Sequence, residues 1–259
     1  MITSDKNPKI KHIRLLQTSS RKRKKDGLFV IEGVRLVEEA KSAGCDFDII
    51  IYSDFLSQRG CGILNELRDQ YIQMEEVSPK IMRLISDTES PQGILAVVGL
   101  PKLEIPEYIN FVLILDAVRD PGNLGTIMRT AVAAGVQVVF LSDDSTDPYS
   151  PKVLRSGMGA HFSIPIQTIV LDNFEKDIAK FGLRKLLADV SGGSIYTEVD
   201  LRVPLALIIG GEAEGVGDKS RLLADECLHI PMAGGNESLN AAVAAGILMF
   251  EVVRQRSES

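Results

Sequence analysis

Hydrophobic positions in the first hundred residues switch repeatedly between a helical period and short unbroken runs. Ile10, Ile13 and Leu16, with Leu15 beside them, recur at helical spacing and predict a helix over residues 7–17. Leu28-Phe29-Val30-Ile31 reads as a short buried strand. Glu32-Gly33 then turns the chain into a helix from Val34 to Ala43 that stops at Gly44. A strand from Phe47 to Tyr52, a helix from Ile63 to Arg68, a strand from Tyr71 to Met74, a helix opened by Ser78-Pro79 and a strand from Gly93 to Val98 follow. Strands and helices in such alternation describe one small α/β domain over residues 1–100.

Pro101-Lys102-Leu103-Glu104-Ile105-Pro106 has no periodicity and carries a proline at each end, so it is read as a linker. Beyond it the strand pattern strengthens. Phe111 to Leu115 is continuously apolar, as in a parallel strand covered on both faces. Val136 to Leu141, Ile164 to Val170, Leu186 to Val190 and Leu205 to Ile209 repeat the theme, which predicts a second α/β domain with a largely parallel sheet over residues 107–259. Its last segment runs from the Pro231-stopped apolar run at Ile230, through the loop Ala233-Gly234-Gly235-Asn236-Glu237, into a helix starting near Ser238. Leu239, Val243, Ile247 and Phe250 form that helix's apolar stripe, and Asn236 or Ser238 is the expected cap.

Composition adds compartment and charge. The balance of 45% hydrophobic and 25% charged residues is that of a soluble globular chain. There is no span-length apolar run and no apolar leader in MITSDKNPKIK. Cys45, Cys61 and Cys227 fit neither a zinc spacing nor a disulfide framework, so a reducing cytoplasm and buried, inert thiols are expected. Net charge is −6, which taken alone argues against a nucleic-acid partner. Yet the first 25 residues hold nine Lys or Arg against one acid, Asp5. The run Arg21, Lys22, Arg23, Lys24 and Lys25 is either a solvated arm or an electrostatic footprint for phosphates.

Candidate chemistry lies in loops that follow strands, where open parallel sheets bind ligands. The first is Asp116-Ala117-Val118-Arg119-Asp120-Pro121-Gly122-Asn123-Leu124-Gly125, leading to a helix with Arg129. Gly122 and Gly125 would set the Asn123 amide on a tight exposed turn, although an ordinary Asp/Pro/Gly turn explains the loop equally well. The second, Gly210-Gly211-Glu212-Ala213-Glu214-Gly215-Val216-Gly217, misses both the dinucleotide and the phosphate-cradling fingerprints. Its acids would repel phosphate and suit a neutral or cationic ligand. The third places Ser238 and Asn240 at the head of an otherwise apolar helix. In a fourth segment, Asp147 to Phe162, Lys152 and Arg155 could reach a phosphate, while His161 reads as structural. No metal cluster, nucleophile elbow or Cys/His pair stands in the chain, which argues against hydrolysis and metal catalysis.

Taken in order, Asp120-Pro121-Gly122-Asn123-Leu124-Gly125 with Arg129, Gly210-Gly211-Glu212 with Gly215, and Ile230-Pro231-Met232 with Gly234 and Ser238-Leu239-Asn240 resemble the SpoU branch of the SPOUT superfamily, the RNA ribose 2′-O-methyltransferases. Asn7-Pro8-Lys9 and Phe29-Val30-Ile31-Glu32-Gly33 are similar to that family's small, ribosomal-protein-like substrate-binding domain. The resemblance implies S-adenosylmethionine as donor, a deep trefoil knot in the C-terminal domain and a homodimer. It implies the cofactor against Gly210, Gly211, Ile230, Met232 and Leu239, and a transfer site lined by Asn123, Arg129, Glu212, Ser238 and Asn240. Arg129 would assist deprotonation of the ribose hydroxyl or only orient it. The basic run gains weight as an RNA contact. Ribosomal RNA of the large subunit is the substrate implied, with transfer RNA as the alternative; a non-catalytic RNA-binding or assembly protein is the reading of another class. One departure is visible: Ala241-Ala242 stand where the family often has Val-Ser.

Overall fold

The computed structural model describes residues 1–70, 72–190, 192–211, 216–234 and 238–258, with the side chains of residues 172 and 173 excepted. The chain divides into two compact units. One comprises Met1–Lys102 with Asp147–Phe162, and the other Leu103–Thr146 with Ser163–Ser259. The first boundary falls inside the expected proline-flanked linker. The excursion of residues 147–162 into the first unit follows no compositional signal; its apolar side chains are what place it there.

In the first unit the elements run α1 (Pro8–Thr18), α2 (Ser20–Asp26), β1 (Leu28–Glu32), α3 (Val34–Ser42), β2 (Phe47–Tyr52), α4 (Gln58–Arg68), β3 (Met74–Glu76), α5 (Pro79–Ile85) and β4 (Ile94–Gly99). The strands form one sheet in the order β1-β4-β2-β3, with β4 antiparallel to both neighbours and β2 parallel to β3. Period-two alternation divides its side chains. Val30, Ile49, Ile51, Leu95 and Val97 face α1 and α5, meeting Ile10, Ile13, Leu16, Ile81, Met82 and Ile85. Phe29, Ile31, Ile50, Ala96 and Val98 face α3 and α4. Asn7 and Ser78 cap α1 and α5, each followed by a proline in the first helical turn.

The basic run is a helix, α2, and not an arm. Ser19 caps it and Gly27, at φ 68°, closes it in the left-handed conformation that glycine adopts without cost. Its period turns Arg23 inward.

The second unit opens with β5 (Phe111–Asp116), α6 (Pro121–Ala133) and β6 (Val138–Ser142). The chain then contributes α7 (Pro151–Gly157) and a 3-10 turn (Ala160–Phe162) to the first unit, where Leu154 and Phe162 join the cluster around Phe29. It returns for β7 (Ile166–Ile169), α8 (Leu171–Ala179), β8 (Arg184–Ala188), β9 (Ser194–Ile195), β10 (Leu205–Gly210), α9 (Asp218–Leu223), β11 (Glu226–His229) and α10 (Ala241–Ser257). Seven strands pair in parallel throughout, in the order β7-β6-β5-β10-β8-β11-β9. The two strands that hydrophobicity missed, β9 and β11, are short and mixed in polarity, and lie toward one edge of the sheet. One face buries Val112, Ile114, Ala206 and Ile208 against Phe174 and Ile178 of α8 and Leu223 of α9. The other carries α6 and α10, which pack on one another.

Candidate active site

Parallel pairing brings the C-terminal ends of neighbouring strands to one edge. The register sets Gly210 beside Asp116, so the loops after β10 and β5 leave the sheet together. Gly211 donates its N–H to the Asp116 carbonyl at 2.8 Å. A Cβ on Gly211 would lie 2.0 Å from the carbonyl oxygen of Ala117, so only glycine lets these two backbones pass. Ala117 itself is held at φ 52°, with its N–H on Ser142 Oγ at 2.8 Å. Asp116 is buried, and its Oδ2 accepts from the Gly217 N–H at 3.1 Å, which ties the far side of the second motif back to the first.

The first motif is helical where a turn is expected. Pro121, Gly122, Asn123 and Gly125 form the opening turn of α6, and Asp120 caps it by accepting from the Asn123 N–H at 2.8 Å. The third motif's helix starts later than expected. Asn240 is its cap, accepting from Ala242 and Val243 at 2.9 and 3.3 Å, and Ser238 lies two residues ahead of it. Asn236, the other expected cap, lies outside the described residues. With its Oδ1 used in this way, Asn240 turns its Nδ2 to Asn123 Oδ1 at 3.0 Å. One amide pair therefore joins the heads of α6 and α10, and with them two motifs 117 residues apart. At its other end α10 is anchored by Arg256, which donates to the carbonyls of Asn110 at 2.9 Å and Val203 at 3.0 Å.

Beside this junction lies a cavity of about 370 Å³ at the C-terminal ends of β8, β10 and β11. Gly210, Gly211, Ile230, Met232 and Leu239, the residues expected to hold a cofactor, all line it, as does Ser238. Its remaining wall is largely apolar and includes Ile209, Val216, Leu228, Ala241 and Leu248. Ala241, in place of the family's larger residue, is thus part of the wall. The volume is that of a small-molecule site. Among the described lining residues the one carboxylate, Asp189, is buried and paired with Arg221, the one Lys or Arg there, so no unneutralised guanidinium or ammonium of the described lining attracts phosphate. A donor set of glycine backbone, apolar side chains and one carboxylate suits a nucleoside carrying positive charge.

Asp189, Arg221 and His229 were not anticipated. The signal was present for Asp189: it is a lone acid near the C-terminal end of the predicted strand Leu186 to Val190, the end where open parallel sheets bind ligands, and it directly follows the observed β8. His229 pairs where sequence cannot place it, since its Nδ1 lies 3.1 Å from the carbonyl oxygen of Gly193, just ahead of β9.

Asn123 and Asn240 stand outside the cavity lining, as does Arg129, which is exposed on α6 and makes no side-chain hydrogen bond or ion pair among the described residues. Glu212 lies outside the described residues. Among the described residues no group of His, Cys, Asp and Glu could hold a metal ion, and no helix is long and apolar enough to cross a membrane. The cysteines are unpaired, but Cys61 is exposed, against the expectation of buried thiols.

The expected phosphate contacts separate. Arg21, Lys24 and Lys25 are exposed and make no side-chain pair among the described residues, whereas Lys22 is engaged by Asp26 at 2.8 Å. Arg23 is 4% exposed; it donates to Asp147 Oδ2 from Nε at 2.9 Å and also to the Leu16 and Gln17 carbonyls. It is a strut between α1, α2 and the Asp147 loop, and no longer a candidate for RNA. Lys152 is exposed, but Arg155 is ion-paired with Asp87. His161 is fully buried: its Nε2 meets the Pro148 carbonyl at 2.7 Å, and desolvation lowers its pKa to about 4. It stays neutral, as a structural ring stacked 5.8 Å from Tyr149.

Comparison with known proteins agrees with this geometry. Residues 110–250 match the model of the SpoU rRNA Methylase family, and residues 7–96 match the MRM3-like substrate binding domain. The chain is 37% identical over 252 residues to the 23S rRNA (guanosine(2553)-2′-O)-methyltransferase of Bacillus subtilis, covering 97% of this chain and 98% of the relative. An AdoMet-bound rRNA methyltransferase from Sinorhizobium meliloti superposes with a TM-score of 0.87 at 31% identity, covering 98% of this chain and 97% of that one. The SpoU methyltransferase AviRb from Streptomyces viridochromogenes, in complex with AdoMet, gives 0.85 at 29%, covering 98% and 100%. With its three motifs meeting at one edge of a parallel sheet, the chain belongs to the SpoU rRNA methylase family.

Proposed function

We propose that this protein transfers the methyl group of S-adenosylmethionine to the 2′-hydroxyl of a ribose in ribosomal RNA of the 23S type. The observation that carries the reading is the cavity at the ends of β8, β10 and β11, lined by Gly210, Gly211, Ile230, Met232 and Leu239, whose one described arginine, Arg221, is paired with Asp189. S-adenosylmethionine supplies an electrophilic methyl on a sulfonium. The chain's part is to hold the donor in the cavity and to set the acceptor in line with it, since orientation is a large share of the barrier in such a displacement.

Ser238 lines the cavity, and the Asn123–Asn240 pair fixes the backbone that follows it. These groups would position the ribose. Arg129 lies on α6 six residues after Asn123 and has no side-chain partner among the described residues. It would contact the hydroxyl and a neighbouring phosphate. As a guanidinium cation it would stabilise developing alkoxide charge while the hydroxyl proton leaves to solvent. Glu212 would shape the same cleft.

The same reading includes the deep trefoil knot and the homodimer. Apolar side chains left in solvent on α6 and α10, Val132, Val243 and Phe250, support a second copy on that face; a monomer in sedimentation equilibrium would remove it. The test of the chemistry is Arg129→Ala. The expected result is a fall in kcat of about 100- to 1,000-fold with donor affinity unchanged. Methylation at the wild-type rate would exclude Arg129, and failure to bind S-adenosylmethionine in calorimetry would leave only an RNA-binding module.

A further inference from the structure

Many cations among the described residues sit against carboxylates. Lys9 pairs with Glu75, Lys41 with Glu66, Arg59 with Glu38, Arg184 with Glu226, Arg202 with Asp200 and Arg254 with Glu251. The face of α1 and α5 gathers four that do not. Helices α1 and α5 lie side by side on the same side of the four-stranded sheet, joined by their shared apolar cluster and by Gln17 Nε2 donating to the Ile85 carbonyl at 2.6 Å. With Ile10, Ile13, Ile81 and Ile85 turned inward, helical period turns Lys11 and Arg14 of α1, and Lys80 and Arg83 of α5, to solvent. All four are exposed, and no hydrogen bond or ion pair to their side chains occurs among the described residues.

Within each helix the two cations are three residues apart, one turn up the same face. Beside α5 is an open depression of about 420 Å³, lined by Thr3, Asp5, Lys80, Ile81, Arg83 and Leu84. Ile81 and Leu84 give it apolar surface beside the cations Lys80 and Arg83, and Thr3 and Asp5 complete the described lining. On a chain of net charge −6, four unneutralised cations on one face repel one another without compensation inside the fold. A polyanion provides it.

We infer that the α1–α5 face is the surface on which the first unit holds RNA, with Lys11, Arg14, Lys80 and Arg83 on successive phosphates of a single-stranded segment and the depression beside Leu84 receiving one nucleotide. The inference rests on the RNA methyltransferase reading and specifies the RNA-holding surface that reading requires. It also moves the main phosphate contact away from α2, where Arg23 is a strut and Lys22 is paired. Single strands suit the site because unstacked bases can lie on an apolar surface while side chains reach the backbone.

The experiment uses the full chain with protein-free 23S ribosomal RNA and measures affinity between about 50 and 200 mM salt. Lys80→Gln with Arg83→Gln, and Lys11→Gln with Arg14→Gln, are compared with a charge-matched control on α8, Lys176→Gln with Lys180→Gln. Removing one cation from a phosphate should flatten the log–log salt slope by about 0.7. All four substitutions together should flatten it by close to 3 and weaken binding at least tenfold, while the control leaves both unchanged. Methylation should show a raised KM for RNA with kcat retained at saturation, because the face positions RNA and does no chemistry. Wild-type slope and affinity in both pairs would overturn the assignment while leaving the methyltransferase intact. A wild-type chain that neither binds nor methylates RNA would sink both readings together.

Discussion

The molecule carries two recognition surfaces built on opposite principles. The cavity in the second unit is made of backbone and short side chains: Gly210, Gly211, Ile230 and Leu239, with the one carboxylate of its described lining already neutralised by Arg221. The α1–α5 face of the first unit is made of long cationic side chains that form no ion pair among the described residues. A small ligand buried in a cleft needs close shape complementarity and satisfied polar groups, so its site is rigid and nearly uncharged inside. A polyanion bound from solvent needs charge density and tolerance of register, which exposed Lys and Arg provide. The difference shows how an acidic protein can hold RNA: net charge counts the whole surface, while binding depends on which cations remain unneutralised.

The cavity side of this contrast breaks most sharply at Gly211. Gly211→Ala puts a Cβ 2.0 Å from the Ala117 carbonyl oxygen, so the two motif backbones must separate. Donor affinity should fall more than about 100-fold by calorimetry, while RNA binding persists. Equal affinity for the donor would mean that the crossing of these loops is not what forms the site.

Arg23 tests whether the basic run is one surface or two. Arg23→Ala removes a buried guanidinium and leaves the half-buried Asp147 carboxylate without its cation, which should cost about 3 kcal/mol in urea unfolding of the first unit. Its effect on the RNA salt slope should be nil in the fraction that stays folded. A stable variant with a flattened slope would return Arg23 to the RNA contacts.

His161 extends the test to acid. Its pKa of about 4 when folded lies below the ordinary 6.5, because burial disfavours the imidazolium. The unfolded chain therefore takes up the proton first, and stability is full above pH 6.5 and falls as the pH drops toward 4, by up to about 3 kcal/mol. Asp147 acts in a lower window: its pKa is lowered when folded, so its contribution is lost only as the pH falls through and below the usual carboxylate range. In His161→Phe the decline between pH 6.5 and 4 should disappear from melting curves; an unchanged slope there would assign it to other groups.

The smallest effect belongs to the amide pair. Asn240→Ala removes the cap of α10 and the hydrogen bond to Asn123, for an expected loss of about 1 kcal/mol in stability. Methylation should fall by more than that loss of folded protein explains. A variant with lower stability and full activity per folded molecule would reduce Asn240 to a cap.

Fold class, most strands and the glycine turns that follow them were legible because each rests on local signals. Five- and six-residue apolar runs such as Phe111 to Leu115 admit little but a buried strand, and glycine pairs after them mark where backbone must pass backbone. The two short strands toward one end of the sheet, Ser194–Ile195 at its edge and Glu226–His229 beside it, were missed because they are brief and mixed in polarity. The start of α10 was misplaced by a few residues, since Asn236, Ser238 and Asn240 all have cap chemistry and only the partner amide of Asn123 selects among them. The basic run was read whole because sequence adjacency cannot tell which of five neighbouring cations a helix turns inward.

By itself, the order of residues determined two α/β units, a parallel sheet in the second and three motifs belonging to one methyltransferase family, since periodicity and glycine spacing are properties of a few consecutive residues. Tertiary structure alone decided that Asp147–Phe162 packs with the first unit, that Arg23 is a strut, that Asn123 meets Asn240, and that Asp189 and Arg221 close the cavity wall. Each of these depends on groups far apart in the chain. Their burial and pairing are set by which surfaces meet when the sheet closes, and no local window of sequence contains both partners.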